Sequence, residues 1–183
     1  MKQVFLILAL FVLGLTTRNS FGQSTLFTKT DTIVVYGNDF AFKVNAKIGW
    51  IGDIDLAKQY YSNIIFFKSK DELKNGGAII QINVFKKQDE KTEKDLEYDI
   101  KSYIDKYKDL KKQELIVSNK EYKCFSMHIY VDKVFYMYTA YINPGVNFKK
   151  GFSVSMNVSK RNATEEELTA FREIIASLVM LKI

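Results

Sequence analysis

His128 and Cys124 are the only histidine and the only cysteine in the chain, so any Cys–His nucleophile pair has to be these two. They stand four apart in KCFSMHIYV (123–131), a run that reads as a β-strand. On a strand they share a face but lie about 13 Å apart, at roughly 3.3 Å per residue. A working pair needs about 3 Å between reacting atoms. A serine triad would need the same histidine, and the chain contains no G-x-S-x-G elbow. Catalytic zinc asks for two or three histidines. His128 therefore reads as a partly buried strand residue, and Cys124 as a small hydrophobe with no disulfide partner.

Carboxylates are the other route to chemistry. Asp53 and Asp55 in GDID are paired acids, but neither the glycine nor the terminal glutamate of a calcium loop follows them. Capping a helix that starts in IDLAKQYY accounts for them. The acids between 89 and 99 belong to a helix start, and NGG (75–77) lacks the Lys-Ser/Thr of a phosphate cradle. No catalytic residue, metal ligand or cofactor is assigned.

A binding surface is the remaining candidate. If the hairpin after Val131 turns at Asp132–Lys133, Ile129 pairs with Tyr136, Met127 with Tyr138, and Val131 with Val134, giving one apolar face. The opposite face then carries Cys124, Ser126, His128 and Tyr130 beside Phe135, Met137, Thr139 and Tyr141. This mixed aromatic and polar composition suits a wet pocket or a recognition surface. His128, Tyr130, Phe135, Met137 and Tyr141 are the candidate binding residues. The plainer reading is a sheet covered by a helix on each side, with the hydroxyls satisfied at the edges.

The elements that must position them are mostly strands. IVVY (33–36) and FAFKV (40–44) flank GND; IIFFK (64–68) and AIIQINVF (78–85) flank a polar loop. ELIVS (114–118), VFYMYTAYI (134–142) and GFSVSMNVS (151–159) follow, the last with Phe152, Val154, Met156 and Val158 in strict alternation. TEKDLEYDIKSYIDKYKDL reads as an amphipathic helix with Leu96, Ile100, Tyr103, Ile104 and Tyr107 on one face and Thr92 as its cap. TEEELTAFREIIASLVML opens with the capping box Thr164-x-x-Glu167 and carries an apolar face through Leu178 and Val179. The expected class is α+β: a largely antiparallel sheet of about six to eight strands with two main helices packed on it.

This order, with the lone Trp50 closing FAFKVNAKIGW, GGAIIQINVF before an acidic-starting helix, and the ending FREIIASLVML, resembles the PsbP-like superfamily. Its members include a photosystem accessory protein, a nuclear Ran-binding protein and bacterial envelope proteins of the DcrB type. The likeness runs from about Phe40 to Leu181; the proline that often precedes the family's tryptophan is missing from VNAKIGW. The resemblance implies a PsbP-like sandwich and a non-enzymatic accessory domain whose partner differs between members, and it carries over no site residue.

Val4 to Leu15 is an apolar run of twelve residues behind Lys2. A membrane-spanning helix needs roughly 20. The run fits a cleaved signal peptide over 1–22, with the cut between Gly22 and Gln23, and no cysteine follows it for lipid attachment. Residues 23–183 are then one domain. Of 27 basic residues, removal of Lys2 and Arg18 leaves 25 against 21 acids, and only Arg161 and Arg172 among them are arginines. That balance does not suit nucleic-acid recognition, which favours arginine. The expected protein is a soluble periplasmic or secreted bacterial protein, not a lipoprotein, that binds another envelope or secreted protein. The alternative is a small-ligand or lipid-binding protein with an aromatic pocket.

Overall fold

Alternating side chains decide most of the strands, and the computed structural model describes residues 25–26, 32–88 and 91–182. The leader and the Gly22–Gln23 bond lie outside the described residues. Eleven strands occur among them. They are β1 (Thr25–Leu26), β2 (Thr32–Tyr36), β3 (Ala41–Asn45), β4 (Ile51–Asp53), β5 (Ile64–Phe67), β6 (Ile79–Lys86), β7 (Lys111–Glu114), β8 (Lys123–Val131), β9 (Phe135–Asn143), β10 (Lys150–Ser159) and β11 (Val179–Leu181). The helices are α1 (Ile54–Ala57), α2 (Lys70–Lys74), α3 (Thr92–Lys106) and α4 (Glu165–Ser177).

Eight strands form one sheet in the order β1-β4-β5-β6-β10-β9-β8-β7, and three form a second, β11-β3-β2. Every pairing is antiparallel. The class is α+β, as the hairpin spacing predicts, but β2 and β3 stand outside the large sheet, and β3 pairs with the C-terminal strand on its other side. On the front face of the large sheet, Phe66, Ile82, Phe152, Val154 and Ile142 pack against Phe42 and Val44 of the small sheet and Phe171, Ile174 and Ile175 of α4. Trp50 is buried in the same core. On the back face, α3 lays Leu96 and Ile100 over Ile129, Met137 and Tyr141. At the other end, α1 and α2 cover Ile65 and Phe67 of β5.

Local chemistry sets the helix ends. Thr164 and Glu167 form the expected capping box, and Asp53 accepts the Leu56 N–H at 2.8 Å to start α1. Thr92 does not cap α3: it is the first helical residue, and Lys91 precedes it without a side-chain cap. Ile104 turns out to be exposed, off the buried stripe. Helix α4 stops at Leu178, because Val179–Leu181 gains a full ladder with β3 by extending. ELIVS is not a strand: pairing with β8 stops at Glu114, and Leu115 and Val117 fill the core edge from irregular chain. The polar loop before NGG contains α2, capped by Ser69.

Candidate functional site

The β8–β9 hairpin has a different register from the one its sequence suggests. Val134 N–H donates to the Val131 carbonyl at 2.9 Å, Lys133 takes a φ of 61°, and the loop holds three residues, Asp132 to Val134. Ile129 therefore opposes Met137, His128 opposes Tyr138, and Tyr130 opposes Tyr136. A one-residue slip exchanges the faces of one strand relative to the other. His128 and Tyr130 sit on the front face with Tyr136 and Tyr138. Phe135, Met137 and Tyr141 sit on the back face under α3. The five candidate residues are not brought together: Tyr130 lies on the opposite face of the sheet from Phe135 and Tyr141.

His128 is 6% exposed and belongs to a ladder of stacked rings. Its ring lies 4.1 Å from that of Tyr138 at an interplanar angle of 4°, and 4.8 Å from that of Tyr130, which stacks on Tyr136 at 5.4 Å. Nδ1 is 3.1 Å from Gln113 Oε1, while Nε2 is buried without a hydrogen-bond partner among the described residues. Removing His128 and Tyr130 together thus disturbs packing, not a docking face. Burial holds the imidazole below its ordinary value of 6.5, since charge is disfavoured there. The unfolded chain then binds the extra proton more readily, so stability falls as pH drops below about 6.5, by at most about 1.4 kcal/mol per pH unit. His128→Phe keeps a stacked ring without the proton and is expected to lose that part of the slope. Urea melts of both proteins at pH 7.5 and pH 5 check this; equal slopes would remove His128 from the account. Burial pushes the Cys124 thiol up to about 12, which disfavours the nucleophilic thiolate.

A second arrangement is legible only once the helices are placed. On the back face, α3 packs mainly on β8 and β9 while α1 and α2 pack mainly on β5, and the middle of β6 and β10 lies between them. The side chains facing this gap are polar: Gln81 opposes Ser155, which opposes Thr139; Asn83 opposes Ser153, which opposes Tyr141. A cavity of about 150 Å³ opens here beside α3. Tyr141 donates its hydroxyl to Asp99 of α3, and burial, with this bond next, pushes the phenol far above its usual range. The alternation of serines in β10 and of Gln81 and Asn83 in β6 was the sequence signal for this strip.

The third feature is the outer side of the small sheet. Val34 and Tyr36 of β2 are 38% and 76% exposed, with half-buried Val179 and Leu181 two strands away. The edges of the two sheets differ in kind. Strand β7 reads KKQE and is exposed throughout; β1 has two residues and β11 three. Strand β2 has five, TIVVY, with no charge and no proline, and among the described residues nothing pairs with its outer edge. A larger hollow of about 660 Å³ near the start of α4 holds charges already paired with one another, Lys68 with Glu166 and Arg161 with Glu167.

Among the described residues no three His, Cys, Asp or Glu side chains gather as a metal site, and no helix is long and apolar enough to cross a membrane. No protein-family model, curated protein or solved structure matches this chain.

Proposed function

We propose that this chain is an exported accessory domain that acts by binding another protein, whose extended segment adds a strand to the open edge of β2. The observation that carries the reading is the unprotected edge. Exposed strand edges invite pairing, and proteins blunt them with lysine, proline or brevity. Strands β7, β1 and β11 use charge or shortness; β2 uses neither. Gly37 N–H donates to the Phe40 carbonyl at 2.8 Å, so by antiparallel alternation Val35 and Ile33 bond to β3. Thr32, Val34 and Tyr36 turn their N–H and C=O groups outward, ready for a partner's main chain, while Val34 and Tyr36 offer apolar contact on the solvent face. An accessory role is also what the PsbP-like resemblance implies, and the apolar run Val4–Leu15 supports a periplasmic or secreted location.

A photo-crosslinking residue at Tyr36, in the tagged protein within its own cell envelope, tests this. One partner should be captured, and Val34→Pro should reduce its capture at least about tenfold by removing an outward donor and clashing with an added strand. The same substitution should leave the β2–β3 ladder and the urea midpoint nearly unchanged. Capture that is indifferent to Val34→Pro would rule out strand addition at this edge.

A further inference from the structure

We propose that the back-face cavity is a binding site for a neutral, hydroxyl-rich ligand: a single sugar ring, free or at the end of a glycan. This rests on different residues from the β2 edge and stands or falls separately. Thr139 is 5% exposed, and Asn83 and Ser153 are half-buried beside it. Their side chains make no hydrogen bond to any other described residue. An amide offers two donors and an acceptor, and each hydroxyl offers one donor with acceptor capacity. Polar groups that line a part-buried hollow, reach solvent and are unclaimed by the fold are available to something entering the cavity.

The charges around the cavity narrow the class. In a chain with 27 lysines and arginines, none lines this cavity. Its only ionisable acid is Asp99, which accepts the Tyr141 hydroxyl. An anionic ligand would meet a carboxylate and no cation, and a metal ion would lack a ligand set. Some exposed strand positions elsewhere in the chain carry lysine, as at Lys43, Lys111 and Lys112, whereas this strip is built of neutral amides and hydroxyls. Tyr103 and Ile100 of α3 supply an aromatic and apolar wall for the C–H face of a sugar ring. The volume of about 150 Å³ is half the lower end of ordinary ligand pockets, roughly 300 Å³, and so suits one ring and not an extended chain.

Amide NMR spectra of the isotope-labelled protein, titrated with glucose, galactose, mannose and N-acetylglucosamine at millimolar concentrations, test the proposal. At least one sugar should shift the amides of residues 83, 139 and 153. Asn83→Leu and Ser153→Val should each weaken that binding about tenfold or more, because each leaves ligand hydroxyls unpaired. Glucuronate should bind at least about tenfold more weakly than glucose. A methyl glycoside that binds as well as its free sugar assigns the site to a glycan end; loss of binding on methylation assigns it to a free sugar. If Asn83→Leu fails to fold, Ser153→Val and the shift map of the parent decide the matter. No shift in the cavity with any of the four sugars overturns the proposal. So does binding that ignores Ser153→Val, or glucuronate binding that matches glucose.

Discussion

Arg161→Met is expected to lower the unfolding free energy by about 3 kcal/mol, an unusually large loss for a residue whose own side chain is half in solvent. The cost arises at its partner. Arg161 makes a fork with both carboxylate oxygens of Glu167, at 2.8 and 2.7 Å, and the Glu167 side chain is only 3% exposed. The same carboxylate accepts the Thr164 N–H at 2.7 Å to close the capping box of α4. Burial pushes the Glu167 carboxyl up, but the Arg161 guanidinium and the Thr164 N–H together hold it below its ordinary 4.5. In the parent, this contribution is present above pH 4.5 and is lost as pH falls through the lower folded value. Without Arg161 burial prevails, and the variant should regain stability on acidification where the parent loses it. Glu167→Gln keeps a cap side chain without the charge, so the double variant Arg161→Met, Glu167→Gln should be more stable than Arg161→Met alone at pH 7. Urea unfolding at pH 7 and pH 4 on the parent and both variants checks the order. A double variant that is no better than the single would show that the carboxylate's burial is not what the arginine offsets.

Phe152→Ala should cost about 4 kcal/mol, through lost burial and the cavity left behind. Phe152 is fully buried on the third residue pair of the β6–β10 ladder counted inward from Lys150–Lys86, opposite Val84 on one side and Ile142 on the other. Its ring meets Phe42 edge to face, 5.4 Å between centroids, so it joins the large sheet to the small one. Loss of that contact should also loosen β3 against the front face. Hydrogen exchange is the sharper readout: protection should fall at Phe42 and Val44 more than at Ile82, which stays inside the large sheet. Uniform loss of protection would mean the two sheets unfold only together.

Much of this architecture was readable from residue order, for reasons that can be named. Strand β8 coincides with its apolar run, and the alternation of Phe152 to Val158 gave β10 to within one residue. Thr164 and Glu167 announced α4 because a capping box is a local device. Features that depend on distant partners were harder. Val179–Leu181 continues an apolar helical stripe, and only the free edge of β3 makes extension the better choice. Lys133 adopts a left-handed φ without being Gly or Asn, so nothing local signalled the three-residue loop, and Val134 looked like a strand residue. That single loop residue separated His128 and Tyr130 from Phe135, Met137 and Tyr141. The polar strip lay half in view: Ser153, Ser155, Gln81 and Asn83 were visible as the off-beat of two strands. That they converge beneath a gap between helices depends on where α3 and α1 settle, which no single strand encodes.

The small sheet has a consequence for the order of assembly. Its middle strand, β3, finds β2 across a tight turn but finds β11 only after β4 to β10 and α4 have intervened in the sequence. Pairings of such wide sequence separation carry a heavy loop-closure cost and form late. Until Val179–Leu181 docks, β3 is as bare on that side as β2 is on the other, and the pocket for Met180 stands open to water. A nascent or truncated chain that stops short of Val179 therefore presents two sticky edges in place of one. The last strand acts as a latch, and its arrival covers the edge of β3 on which the chain could otherwise associate with its neighbours.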